Sequence, residues 1–98
     1  MKIVWSPLAL ERLQEIADYI ARDNPRAAMK WVDSVFDKTE QLMANPKLGR
    51  MVPELDNPER RELILGNYRI IYRQMSKQLW ILTIRHGRQL LPLDGMDL

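Results

Sequence analysis

The sequence predicts an α+β fold, with an N-terminal strand and an α-helical hairpin packed on a small, mainly antiparallel sheet, in the order β-α-α-β-β-β. Three observations carry this expectation. Two cap-and-proline pairs, Ser6-Pro7 and Asn24-Pro25, each open a stretch whose apolar residues recur three and four apart. Strand-like runs from residue 62 to 85 are separated by two turn signals. A chain of 98 residues, 46% hydrophobic, is long enough for one small core and too short for two, so residues 1–98 read as one domain.

Met1 to Trp5, MKIVW, mixes β-branched and aromatic residues and stops at Ser6-Pro7, which marks a short first strand. Ser6 then caps a helix and Pro7 occupies a position where its missing N–H costs nothing. Ala9, Leu13, Ile16, Ala17 and Ile20 form one face and Glu11, Arg12, Glu15 and Asp18 the other, with an end near Asp23. Asn24-Pro25 starts a second helix that must turn back along the first. Its stripe is Ala28, Val32, Val35, Phe36, Thr39, Leu42 and Met43, with Trp31 beside it, and Asn45-Pro46 closes it.

Lys47 to Glu59 contains two prolines and a glycine and reads as an ordered loop. Leu48, Met51, Val52 and Leu55 give it apolar residues to lay on the rest of the molecule. Glu62 to Leu65 and Tyr68 to Arg73 make a hairpin about Gly66-Asn67. Gln74 to Gln78 is the next turn, and Leu79 to Arg85, the most apolar strand, belongs in the sheet interior, leaving at His86-Gly87. Pro92 to Leu98 reads as a short tail.

The absence of cysteine excludes disulfides, thiolate metal sites and thiol nucleophiles, and suits a reducing, cytoplasmic setting. The chain opens on no charged-then-apolar leader, and no apolar run approaches the roughly 18 residues of a membrane span, so a soluble protein is expected. No cofactor or metal is expected.

Charge is uneven. The chain carries a net +2, yet between Arg60 and Leu91 seven basic side chains meet a single acid, Glu62. Strict alternation places Tyr68, Ile70, Tyr72, Trp80, Leu82 and Ile84 on one face of the sheet, under the helices. It places Arg69, Arg73 and Arg85 on the uncovered face, among Ile71, Ile81 and Thr83. Guanidinium groups on a partly apolar floor suit phosphate or carboxylate, although arginine on an exposed strand also serves solubility and cross-strand pairing. His86 is the only histidine and the only group with an ordinary pKa suited to proton transfer near neutrality. At a strand exit it more often has a structural role, and no spacing supports a metal site or a catalytic triad. Trp31, Tyr68, Tyr72 and Trp80 read as core and not as a base-stacking set.

Several short pieces, in this order and spacing, resemble the RelE/ParE superfamily of type II toxins, including its plasmid-stabilisation members. They are Asp18-Tyr19-Ile20-Ala21, Asn24-Pro25 followed by Ala27-Ala28, Leu48-Gly49-Arg50, Arg61-Glu62-Leu63, Tyr68 to Arg73, and His86-Gly87-Arg88-Gln89. The resemblance implies a toxin neutralised by a cognate antitoxin, with which it forms an oligomer, and whose acidic segment wraps the basic sheet. Met51, Val52 and Leu79 are the expected antitoxin contacts.

Within the superfamily, RelE-type RNA cleavage uses arginines that match Arg69 and Arg88, a pair of lysines before the hairpin and a late tyrosine. Here Arg60, Arg61 and Glu62 stand where the lysines would fall, and no aromatic residue follows Trp80. In-line cleavage needs a base and an acid, and only His86 is an evident proton carrier. The ending His86-Gly87-Arg88-Gln89 and the Arg61-Glu62-Leu63 strand are more similar to the ParE branch. The expectation is therefore a toxin directed at DNA gyrase that traps the gyrase–DNA cleavage complex without covalent chemistry of its own. Arg61, Arg69, Arg73, Arg85 and Arg88 would meet the target, and Arg69→Ala or Arg88→Ala would weaken toxicity without unfolding the chain. The alternative is a ribosome-dependent mRNA endoribonuclease using Arg69, His86 and Arg88, with the ribosome and mRNA as partners. A third reading is a non-toxic protein-binding module.

Overall fold

The computed structural model describes residues 1–87. Strand β1 (Lys2–Trp5) leads into helix α1 (Pro7–Ala21), which is followed by α2 (Pro25–Glu40) and a single 3₁₀ turn at Gln41–Met43. Both helices start as their sequences predict. The Ser6 hydroxyl accepts from the Ala9 amide at 3.0 Å and the Asn24 side chain accepts from the Ala27 amide at 3.1 Å, each just before a proline. A two-residue strand β2 (Arg50–Met51) sits inside the expected loop, ahead of β3 (Arg60–Leu65), β4 (Tyr68–Met75) and β5 (Gln78–His86).

The five strands lie in the order β1-β5-β4-β3-β2. Only β1 runs parallel to its neighbour, β5; the other pairs are antiparallel. The α+β expectation holds, with β5 in the interior but β4 at the centre. Gly66, at φ +57°, makes the β3–β4 turn, which needs a left-handed residue.

The face assignment of β5 requires correction. The β4–β5 register runs from Ile71↔Thr83 directly to Tyr72↔Ile81, so Leu82 is an extra residue in a β-bulge. Alternation resets there. Leu79, Ile81 and Ile84 join the helix-side core with Ala9, Leu13, Val35, Leu42, Leu63, Ile70 and Tyr72, whereas Trp80 and Leu82 face the other way. The sequence placed Ile81 outward and Trp80 and Leu82 under the helices; a single inserted residue inverts all three. Ser6 also secures the bulge, since its hydroxyl donates to the Leu82 carbonyl at 2.8 Å and its amide to the Ile81 carbonyl at 3.0 Å.

The second face of the sheet is not bare. Val52 and Leu55, from the segment between β2 and β3, lie on Ile71, Leu82 and Trp80 in a separate small cluster. This 52–59 strap returns to the sheet through the Val52 amide, which donates to the Arg60 carbonyl at 3.2 Å. Among the described residues no helix is long and apolar enough to cross a membrane.

Candidate functional site

The strand registers set out the second face in tiers. Arg60 stands opposite Arg73, and Arg73 opposite Trp80; Glu62 stands opposite Ile71; Ile64, Arg69 and Arg85 form the far tier. The predicted gathering of Arg69, Arg73 and Arg85 on one face is present, but the three are in different chemical situations.

Arg69 is buried and fully engaged. Its Nε donates to Glu62 at 2.7 Å, and Nη1 and Nη2 donate to the two oxygens of Glu54 at 2.6 and 2.7 Å. Glu62, also buried, accepts from Arg50 Nε at 2.7 Å through its other oxygen. Hydrogen bonds to Glu54 raise the Arg69 pKa above its ordinary value against the opposing effect of burial. The guanidinium fork of Arg69, expected to meet a target, is occupied here by carboxylates of its own chain. Glu54 was missed because it approaches from the strap, fifteen residues away, and no local spacing announces it.

Arg60 and Arg73 are the contrasting pair. Among the described residues their only carboxylate neighbour is Glu59, whose Oε2 lies 3.7 Å from Arg60 Nη1 and 3.4 Å from Arg73 Nη2. Arg60 Nη1 and Arg73 Nε are buried and have no hydrogen-bond partner among the described residues. Burial, and then the charge of Arg73, lower the Arg60 pKa; Glu59 acts in the opposite sense. Arg60 was absent from the expected site. Counting outward from the Gly66-Asn67 turn pairs it with Arg73, so the signal was available.

Arg85 is half-buried, and its Nε has no hydrogen-bond partner among the described residues. With His86 it borders a cleft of about 350 Å³ against α1, where Arg12, Glu15, Ile16 and Tyr68 also line the wall. His86 stacks edge-on to Tyr68, with ring centroids 5.6 Å apart, on the helix side of the sheet, and at the sheet's end it also lines a second cleft with Arg50 and Arg69. Arg61 is on the helix side too. It stands opposite Tyr72 and its Nη1 donates to the Gly49 carbonyl at 2.8 Å, so it does not border the arginine face as expected. Arg88 lies outside the described residues.

Of the three expected antitoxin contacts, Met51 is exposed, but Val52 and Leu79 are buried. Val52 packs from the strap onto Ile71 and Leu82, and Leu79 is in the main core beside β1, because the bulge turns the odd-numbered half of β5 inward. Exposed apolar side chains lie elsewhere, at Tyr19 and Met29 on the hairpin and at Leu48, Ile64 and Met75 around the sheet.

Known proteins match this arrangement along nearly its whole length. Residues 3–91 match the family model described as the ParE toxin of the type II toxin–antitoxin system parDE. The chain is 37% identical over 97 residues to the "Putative toxin Y4kP" of Sinorhizobium fredii (strain NBRC 101917 / NGR234), covering 93% of each chain. Its fold superposes with a TM-score of 0.73 and 26% identity on a chain of the chromosomal ParDE TA system from P. aeruginosa, over 88% of this chain and 95% of that one. An α-hairpin on a five-stranded sheet, with a family match from β1 through the last strand, is sufficient: this chain belongs to the ParE family of toxins of type II toxin–antitoxin systems.

Proposed function

We propose that this protein is a cytoplasmic inhibitor of DNA gyrase that traps the gyrase–DNA cleavage complex and is neutralised by a cognate antitoxin. The family match over residues 3–91 carries this reading. Trapping a complex needs complementary surface and charge, and no bond is made or broken by the toxin itself. Arg73 and Arg85, with Arg61 nearer the edge and Arg88 following β5 in sequence, supply the cations that meet the target.

The geometry at Arg69 favours this reading over RNA cleavage. An arginine that stabilises a phosphorane must aim its N–H groups at the scissile phosphate. Here they are aimed at Glu54 and Glu62.

Purified protein added to gyrase and relaxed plasmid should block supercoiling and leave cleaved DNA after denaturation. Unimpaired supercoiling together with codon-positioned cuts in ribosome-bound mRNA would replace this reading with endoribonuclease activity. Co-expression of the neighbouring reading frame should relieve growth arrest if it encodes the antitoxin.

A further inference from the structure

The second face of the sheet holds two kinds of arginine, and the contrast is informative. Arg69 meets two carboxylates with three nitrogens at 2.6 to 2.7 Å. Two tiers away, Arg60 and Arg73 are cross-strand partners of like charge, an arrangement that is unfavourable in a sheet. The Arg60 side chain is only 11% exposed, so its charge is largely desolvated, while the one carboxylate near it among the described residues belongs to Glu59, which is 61% exposed and too distant from Arg60 for a hydrogen bond. Arg60 Nη1 and Arg73 Nε are left without acceptors among the described residues. A buried charge with so little compensation costs stability. Departures of this kind from local consistency concentrate where a partner supplies what is missing.

We propose that the Arg60–Arg73 pair is a carboxylate-binding site that takes one acidic side chain of a partner protein; the partner's identity as the antitoxin rests on the reading above. Adjacent strands lie about 4.8 Å apart, so two guanidinium groups on neighbouring strands can each donate to one oxygen of a single carboxylate. Trp80 continues the same tier and Met75, exposed, lies at the end of β4. They provide an apolar shoulder for the residues flanking that acid. A nucleic-acid backbone fits less well. It requires a run of exposed cations at successive phosphates, whereas this site is one half-buried pair bordered by Glu59. Occupation by the antitoxin would also withdraw Arg73 from the target, which joins neutralisation to the same tier.

The test uses the full chain and the product of the neighbouring reading frame. Arg73→Gln and Arg60→Gln should each weaken binding at least tenfold by calorimetry. In a scan of the partner's Asp and Glu residues, one amide substitution should cost affinity against wild type and nothing against Arg73→Gln. The free Arg73→Gln chain should melt at or above the wild-type temperature, because a like-charge pair is relieved. Unchanged affinity in both variants, no coupled acid, or a lowered melting temperature would overturn the proposal. If the neighbouring product does not bind wild type at all, the antitoxin reading fails separately. The side-chain Nε resonances of Arg60 and Arg73 then decide the site: glutarate should shift both in a saturable way. Response to duplex DNA but not to glutarate overturns it.

Discussion

Arg69 and Glu54 form a two-pronged ion pair, Nη1 and Nη2 to the two carboxylate oxygens at 2.6 and 2.7 Å, that fixes the 52–59 strap to the centre of the sheet. The same guanidinium holds buried Glu62 through Nε. Removing one member of a buried network leaves the others charged and unpaired, which costs about 3–5 kcal/mol. Arg69→Ala should therefore lower the urea midpoint sharply, in contrast to the expectation that it would spare the fold. Arg69→Met combined with Glu62→Gln should recover part of the loss, because the stranded charge is removed. Equal stability of Arg69→Ala and wild type would show that the pair carries no structural weight.

Tyr72 ties the end of the helical region to the sheet. Its hydroxyl donates to the Pro46 carbonyl at 2.7 Å and accepts from the Gly49 amide at 2.9 Å. Tyr72→Phe orphans two backbone groups and should cost about 1–3 kcal/mol by denaturant titration. The phenol also titrates. Burial pushes its pKa up, while the Gly49 N–H and then Arg61 pull it down. A raised pKa in the folded state means that the unfolded chain ionises first. Stability is then complete below about pH 10 and falls as pH rises through the folded value. Wild type should lose stability in that alkaline window more steeply than Tyr72→Phe.

Gly49 is needed for closeness and not for an unusual backbone angle. A Cβ there would lie 2.6 Å from the Glu62 carbonyl oxygen and 2.7 Å from Tyr72 Cε1. The first of these is backbone and has little room to move. Gly49→Ala should cost at least as much as the 1–3 kcal/mol typical of overpacking. It should also weaken the Tyr72 hydroxyl contacts, readable as a lowered alkaline midpoint.

The elements were legible because each carries its own punctuation. Ser6-Pro7 and Asn24-Pro25 specify two helix starts, and Gly66-Asn67 specifies a hairpin whose register follows by counting. The tier containing Arg60 and Arg73 was thus within reach of the sequence. The orientation of β5 was not, because the extra residue at Leu82 leaves no glycine or proline in LWILTIR to mark it, and one insertion reverses every side chain beyond it. The pairing of Arg69 with Glu54 was hidden for a different reason. It depends on where a proline-containing strap crosses the sheet, a tertiary fact that no periodicity encodes. Composition counted Glu62 as the one local acid, while the fold brings in Glu54 and Glu59 as well.

The strap itself should be the most readily opened part of the sheet side. Among the described residues only Val52 and Leu55 anchor it by apolar contact, against Ile71, Leu82 and Trp80, and its backbone bonds are few: Val52 to the Arg60 carbonyl, Leu55 to the Val52 carbonyl and Arg60 to the Asn57 carbonyl. Segments with few buried contacts open at a fraction of the global free energy. Glu54→Ala removes the clip to Arg69 while leaving β4 and β5 intact. Amide exchange at Val52, Leu55 and Arg60 should then accelerate by more than about tenfold, since 1.4 kcal/mol of lost local stability is a factor of ten. The amides of Ile70 and Ile84, deep in the main core, should be slowed or sped far less. Uniform acceleration across both sets would mean that the strap and sheet open as one unit, and that the Arg69–Glu54 pair secures the whole fold instead of one loop.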